Sequence, residues 1–75
     1  MIRERYAVVL VYSTGHAIRA EQILHGAGIS SKLIPVPRHL GSDCGVCLRI
    51  ERVDVEAARR ALETAKMEIE RVRDI

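Results

Sequence analysis

Two cysteines three positions apart are the residues of this chain best suited to chemistry. The segment Cys44-Gly45-Val46-Cys47 has the C-x-x-C spacing found in metal sites and in reactive thiol pairs. In thioredoxin-like proteins this motif begins a helix, but here the alternation through Leu48-Arg49-Ile50 predicts a strand. Residues three apart in an extended strand are separated by roughly 10 Å, whereas a disulfide needs Cα atoms within about 7 Å. A disulfide therefore requires Gly45 to make a turn.

Residue types alone leave several roles open for this pair. Cys44 could be a reactive thiol or an inert loop residue, and Cys47 could resolve a persulfide on Cys44 or be a small half-buried strand residue. Zinc is a further alternative, because C-x-x-C supplies half of a tetrahedral site. His16, His25 and His39 lack the paired spacing of zinc modules, so we expect no metal within one chain, and a site shared by two chains stays open. The P-loop pattern is absent from the sequence, and we expect no cofactor.

The composition is that of a small globular chain with nearly balanced charge. Its 75 residues predict one domain over residues 1–75, and 48% of them are apolar. Twelve basic and ten acidic residues are spread along the chain without an extended basic stretch, so we expect no nucleic-acid partner. The apolar run over residues 6–12 is too short to span a membrane, which predicts a cytoplasmic protein with reduced thiols and no membrane partner. The small core makes a homodimer a further hypothesis, because a second copy could cover apolar surface.

Hydrophobic periodicity predicts the element order β-α-β-β-α. The expected elements are a buried strand at residues 6–12, a helix capped by Ser13 or Thr14 and stopped by Gly26 and Gly28, a strand within residues 29–36, a strand from Val46 to Ile50, and a long amphipathic helix from Asp54 to the end of the chain. The period-2 alternation of the third strand places Cys47 and Arg49 on one face.

These elements predict an α/β (α+β sandwich) domain with a three-stranded sheet of order 1-3-2 and two helices on one face, a truncated ferredoxin-like arrangement. A right-handed crossover makes strands one and two parallel, with strand three antiparallel between them. The ends of strands one and two then meet the start of strand three at one edge of the sheet. We expect residues 13–16, from Ser13 and Thr14 to His16, to converge at this edge with Arg38, His39 and Cys44. The start of the first helix and the charge of Arg38 would favour a thiolate there.

Several stretches of the chain also resemble a known family. They are Ser13-Thr14, Ala17-Ile18, Ala20-Glu21, Gly28-Ile29, Leu33-Ile34-Pro35-Val36-Pro37-Arg38, and Asp43-Cys44-Gly45 running into Leu48-Arg49-Ile50. Over about residues 6–52 this pattern resembles the selenium/sulfur (Se/S) carrier protein-like family of small bacterial and archaeal proteins. The Leu-Ile-Pro-Val-Pro-Arg stretch and the Cys-Gly pair before a strand are its most specific parts.

The resemblance implies a carrier rather than an enzyme with turnover. Cys44, which with Gly45 occupies the position of the family's Cys-Gly motif, would hold sulfur or selenium as a persulfide or selenosulfide. A protein donor such as a cysteine desulfurase would load it, and an acceptor protein would receive the atom. Cys47 stands where the family often has a small residue, so it is a candidate second thiol that resolves the loaded atom. The alternative function is a small dimeric interaction or regulatory module whose cysteines are non-catalytic or bind metal.

Overall fold

The computed structural model describes residues 5–41 and 44–75, and its regular elements follow the order β-α-β-β-α-β. The strands are β1 (Tyr6–Leu10), β2 (Ser31–Pro35), β3 (Val46–Glu51) and β4 (Arg71–Asp74), and the helices are α1 (Thr14–Gly26) and α2 (Val55–Thr64). Short 3-10 turns occupy Arg38–Leu40 and Arg52–Asp54. Within the part of the chain described, neither helix is long and apolar enough to cross a bilayer.

The sheet has one strand more than the sequence predicts. Its order is β2-β3-β1-β4, and each neighbouring pair is antiparallel. β3 therefore lies between β1 and β2 as predicted, but a three-stranded sheet of order 1-3-2 is wrong, because β4 pairs with the other side of β1. The six elements make up the complete split β-α-β arrangement of ferredoxin-like domains rather than a truncated version of it.

The second helix ends much earlier than predicted. α2 stops at Thr64, and Lys66 then adopts a left-handed backbone conformation with a φ of 57°, through which a right-handed helix cannot continue. Three apolar residues beyond this corner still pack against the core that α2 covers: Met67, Ile69 and Val72. Met67 and Ile69 lie in the connection after α2, and Val72 lies in β4. Their helix-like spacing arises because all three pack against the same core, although they are not in a helix. Asp54 occupies the N-cap position of α2 as predicted, without a side-chain capping hydrogen bond.

Both helices cover the same side of the sheet, which we call the helix face. Alternate residues of β1 and β3 meet apolar residues of α1 and α2 in one buried cluster. Its largest fully buried side chains include Val9, Leu24, Leu48, Ile50 and Leu62. Burying each of these leucines stabilises the fold by about 1.5–3 kcal/mol. This cluster is the main core of the domain.

The opposite side of the sheet, the outer face, has a thinner apolar layer. Its buried cluster consists of Val8, Leu10, Leu40 and Cys47, with Ile34 and Val36 packed against it. Leu40 belongs to the 3-10 turn of a loop over residues 36–41, which we call the covering loop. Strand residues supply most of this cluster, and the covering loop closes it with Leu40.

Candidate functional site

The strand register brings three chain segments together at one end of the sheet. Cys47 in β3 lies opposite Leu10, the last residue of β1, and also opposite Ile34 in β2. Beside this position, Pro35, the last residue of β2, pairs with Val46, the first residue of β3. The predicted meeting of the ends of β1 and β2 with the start of β3 is confirmed. The two cysteines lie at this end of the sheet.

Cys44 lies in a bend just before β3 and packs on the helix face. Its side chain is buried, with 5% of the residue exposed, and it belongs to the main core cluster. The thiol donates a hydrogen bond to the carbonyl oxygen of Val46 over 3.2 Å. This contact turns the Sγ atom toward the first residue of β3. Cys44 is thus at the predicted sheet end, but it is a buried thiol rather than an open one.

Cys47 packs on the outer face, beneath Leu40. It is fully buried, and its side chain lies between those of Leu10 and Ile34 on the neighbouring strands. Burial raises the pKa of the Cys47 thiol above its ordinary value, and the neighbouring Cys44 raises it further. Cys47 is therefore a protonated thiol at neutral pH. The predicted position of Cys47 within a strand, on the face of Arg49, is confirmed.

The two thiols pack on opposite faces of the sheet although they are close in sequence. Cys44 belongs to the cluster on the helix face, and Cys47 belongs to the cluster on the outer face. Both cysteines are thiols rather than halves of a disulfide. The electrostatic effect of Cys44 on the pKa of Cys47 places them within interaction range, while their packing separates their side chains. A disulfide between them would require one thiol to leave its cluster.

The start of α1 uses the residues that the sequence predicts as its cap. Ser13 is the N-cap residue, and its hydroxyl accepts a hydrogen bond from the backbone N–H of His16 over 3.2 Å. The Ser13 Oγ and His16 Nδ1 atoms are also 2.6 Å apart. Thr14 is the first residue of the helix, in an exposed position. The Ser13 hydroxyl thus holds the helix start in place, three residues beyond the end of β1.

The remaining predicted site residues lie on the loop between β2 and β3. Arg38 and His39 are exposed on the 3-10 turn of the covering loop. Gly45 follows Cys44 in the bend, and its carbonyl oxygen accepts a hydrogen bond from the N–H of Val36 over 3.1 Å, which extends the ladder between β2 and β3. A Cβ atom added to Gly45 would meet nothing within 4 Å. The backbone therefore does not demand glycine at this position.

Two residues that the sequence analysis missed hold the covering loop against the sheet. Leu40 fills the outer cluster above Cys47. Arg71 in β4 donates hydrogen bonds from Nη2 to the carbonyl oxygens of Leu40, at 2.6 Å, and Gly41, at 3.2 Å. The contact of Leu40 with the outer cluster had a signal in the sequence, because Leu40 is an isolated leucine in a polar loop. Arg71 could not be found, because the pattern assigned it to a helix rather than to a strand beside β1.

Metal-ligating residues do not gather at the thiols in the part of the chain described, where no group of three or more histidine, cysteine or carboxylate side chains could hold a metal ion. His25 lines a separate cavity of about 450 Å³ with Glu21 and Ser31. Ser31 begins β2, so this cavity lies at the opposite end of the sheet from Cys47.

The fold and site define a class: a small ferredoxin-like α+β domain that carries one cysteine thiol at each face of the end of its sheet. Residues 6–73 match the family model described as "Putative Se/S carrier protein-like". The chain belongs to this family, and the match extends over β4 as well as the stretches quoted above. Searches against curated proteins and against solved structures found no match.

Proposed function

We propose that this protein carries sulfur or selenium on Cys44, as a persulfide or selenosulfide, between a donor protein and an acceptor protein. The observation that carries the proposal is a thiol at the sheet end, just before β3, in a chain that belongs to the Se/S carrier-like family. The donor is a protein that itself bears a persulfide or selenosulfide, as a cysteine desulfurase does. The acceptor supplies the nucleophile that removes the atom.

The loading step is an exchange that needs no external oxidant. The Cys44 thiolate attacks the terminal sulfur of the donor's persulfide, and a new bond forms from Sγ to that sulfur. The donor's own S–S bond breaks, and its electron pair leaves on the donor cysteine as a thiolate. That thiolate takes up a proton, which balances the proton lost by Cys44. A selenosulfide donor transfers terminal selenium by the same exchange.

Loading requires the sheet end to open. Cys44 is 5% exposed, and the chain segment before it is anchored on the outer face by Leu40 and by Arg71. A donor must displace this segment, or bind when it is displaced, before its persulfide reaches Sγ. Arg38 and His39 lie exposed on the same loop and are positioned for first contact with the donor.

Cys47 is the second thiol of the proposal and has the slower role. If Cys47 attacks Sγ of loaded Cys44, the terminal sulfur leaves as hydrosulfide and a Cys44–Cys47 disulfide forms. Two electrons from an external thiol reductant then restore both thiols. The raised pKa of Cys47 and its burial under Leu40 both slow this attack. The carried atom therefore leaves Cys44 faster by transfer to a partner protein than by attack of Cys47.

The cytoplasm is the compartment that suits this chemistry. Reducing conditions keep both cysteines as thiols between cycles, and the sheet end holds no disulfide. In an oxidising compartment Cys44 would be lost to disulfides and to higher oxidation states. We place the carrier and its partners there.

The decisive experiment is loading of the purified protein by a cysteine desulfurase and L-cysteine, followed by intact mass spectrometry without reductant. We expect an added mass of about 32 Da, one sulfur, on the wild-type chain. Cys44→Ser should abolish the adduct, whereas the matched variant Cys47→Ser should keep it and lengthen its lifetime. An adduct that survives Cys44→Ser and disappears in Cys47→Ser would assign the carrier role to the other thiol. Absence of any adduct would reject the proposal.

Gly45 provides a test that separates folding from partner access. Because a Cβ atom at Gly45 has open space around it, Gly45→Ala should fold with the wild-type unfolding temperature. The added methyl group lies beside Cys44, where a donor protein must approach. We expect loading by the desulfurase to slow at least severalfold, while iodoacetamide, a small reagent, alkylates Cys44 at the wild-type rate. Equal slowing of both reactions would point to a local distortion of the bend instead.

A further inference from the structure

A row of basic side chains crosses the outer face two residues along β3 from Cys47. The register places Lys32 of β2 opposite Arg49 of β3, Arg49 opposite Val8 of β1, and Val8 opposite Arg73 of β4. Antiparallel partners project to the same side of a sheet, so these residues form one line across all four strands. Val8 belongs to the outer cluster, which assigns the whole line to the outer face.

The pair Lys32 and Arg49 is unfavourable for folding. Like charges directly opposite each other on neighbouring strands destabilise a sheet. Among the residues described, the ion pairs are those of Arg52 with Asp74 and Arg71 with Glu70, and neither Lys32 nor Arg49 has a carboxylate within 4.0 Å. An anion bound between the two cations would remove this repulsion.

Arg49 is held in place by an aromatic ring. Its guanidinium carbon lies 4.3 Å from the centroid of the Tyr6 ring, in a cation–π contact. Stacking on one face leaves the N–H groups at the rim of the planar guanidinium free to donate in its plane. Arg49 is thus positioned to bind a tetrahedral oxyanion through two parallel hydrogen bonds.

A surface trough lies beside these two cations. It has a volume of about 280 Å³, and its walls include Tyr6, Ser30, Ser31, Lys32, Arg49 and Glu51. The Lys32 ammonium, the Arg49 guanidinium and the Ser30 hydroxyl all offer hydrogen-bond donors, whereas Ser31 pairs with Ile50 and projects to the helix face. Glu51 disfavours anion binding, because its carboxylate lies next to the Tyr6 end of the trough and would repel an anion. Donors nevertheless predominate around the position between Lys32 and Arg49.

We propose that Lys32, Arg49 and the hydroxyl of Ser30 bind a phosphate group, either free or in a small phosphate monoester. Two adjacent cations match the double negative charge of such a group above its second pKa of about 6. A carboxylate offers one charge and two oxygens, which leaves part of this donor set unused. The inference does not depend on the carrier function, since neither cysteine lines the trough.

The same observations argue against a nucleic-acid strand as the ligand. Single strands bind by stacking bases on exposed aromatic rings, but one face of Tyr6 is already occupied by Arg49. Arg73, the next cation along the row, lies two strands from Arg49, or roughly 10 Å at ordinary strand spacing. The geometry therefore favours one localised phosphate group over a continuous phosphate backbone.

The test is an NMR titration of the isotopically labelled full chain at pH 7.5 with three probes at constant ionic strength: inorganic phosphate, ribose 5-phosphate and a twelve-nucleotide single-stranded RNA. We expect saturable shifts of the Ser31, Lys32 and Arg49 amides with the first two. The probe that binds tighter identifies the source, free phosphate or a sugar phosphate. Lys32→Ala and Arg49→Lys should each weaken binding about tenfold. Glu51→Gln should tighten it severalfold, because a repelling carboxylate is lost.

Arg73→Ala is the matched control, since it removes a cation from the same row outside the trough. We expect its phosphate affinity to stay within about twofold of wild type, because surface charges interact weakly at that distance. The proposal is overturned if neither small probe causes saturable shifts, or if sodium chloride alone causes the same ones. It is also overturned if only the RNA binds and Arg73→Ala weakens that binding as much as Lys32→Ala does.

Discussion

The two faces of the sheet are closed in different ways, and the difference bears on the chemistry. Two helices seal the helix face, where Cys44 contributes to the main core. A single loop seals the outer face, where Leu40 lies over Cys47 and Arg71 fixes the loop backbone. Movement of this loop would therefore uncover Cys47. The larger buried cluster thus lies on the helix face with Cys44, whereas Cys47 lies in the smaller outer cluster that one loop closes.

The largest expected effect is on the helix face. Leu62→Ala should lower the free energy of unfolding by about 2–5 kcal/mol, because Leu62 is 2% exposed and its removal leaves a cavity between α2 and the sheet. Leu40→Ala should cost about 1–2 kcal/mol, because the covering loop can relax around the smaller residue. Urea denaturation of both variants measures the two costs. Equal losses of unfolding free energy in the two variants would mean that the outer cluster stabilises the fold as much as the main core does.

The next effect concerns access to Cys47. Arg71→Ala removes two hydrogen bonds to the loop backbone, and we expect Cys47 to react about tenfold faster with a thiol-specific disulfide reagent. The size of the effect is limited because the Arg71 side chain is 41% exposed. Arg73→Ala, on the same strand and face, is the control and should leave the rate unchanged. The rate is best measured in a Cys44→Ser background, so that the reagent reacts with the Cys47 thiol alone.

A smaller effect should appear as a pH dependence of stability. The pKa of Cys47 is raised in the folded protein by burial, so the folded state keeps its proton at pH values where the unfolded chain, with a thiol pKa of about 8.5, has lost it. The Cys47 contribution is complete below pH 8.5 and declines as the pH rises toward the folded pKa, by at most about 1.4 kcal/mol per pH unit.

This decline is isolated by comparing the wild type with Cys47→Ala in urea melts from pH 7 to pH 10. The difference between the two unfolding free energies should shrink above about pH 8.5. A constant difference over this range would contradict the assignment of Cys47 as a buried, protonated thiol.

The smallest effect is expected at the corner between α2 and β4. Lys66 has a φ of 57°, which costs little for glycine but roughly 1 kcal/mol for other residues. Lys66→Gly should therefore raise the free energy of unfolding by about 0.5–1 kcal/mol. Glu63→Gly, inside α2, is the matched substitution and should lower it by a similar amount. Destabilisation by Lys66→Gly would show that the lysine side chain has a contact that offsets the strain.

The first four elements follow from local sequence because each has its own signal. The apolar run of β1 and the cap residue Ser13 mark the beginning of the domain, and the alternation from Val46 fixes which side of β3 carries Cys47. Antiparallel pairing then dictates that the strand ends meet. The location of the two cysteines at the end of the sheet was thus predictable from short-range patterns and topology.

The last strand was not predictable in the same way. β4 has four residues with one apolar side chain, Val72, and its spacing from Ile69 also fits a helix. The corner is formed by Lys66, where a glycine would have signalled the end of the helix. The burial of Cys44 in the main core and of Cys47 beneath Leu40 depends on contacts between distant segments, which no local pattern contains.

Pairing of β4 with β1 also determines where the sheet ends. The two free edges are β2, which finishes at Pro35 without a backbone donor, and β4, which is short and carries arginine at alternate positions. A strand from another copy of the chain would lose a ladder hydrogen bond at Pro35 on β2, and a second β4 would bring its arginines against those of the first. The apolar strands β1 and β3, which are the segments most prone to form fibres, are both enclosed in the interior of the sheet.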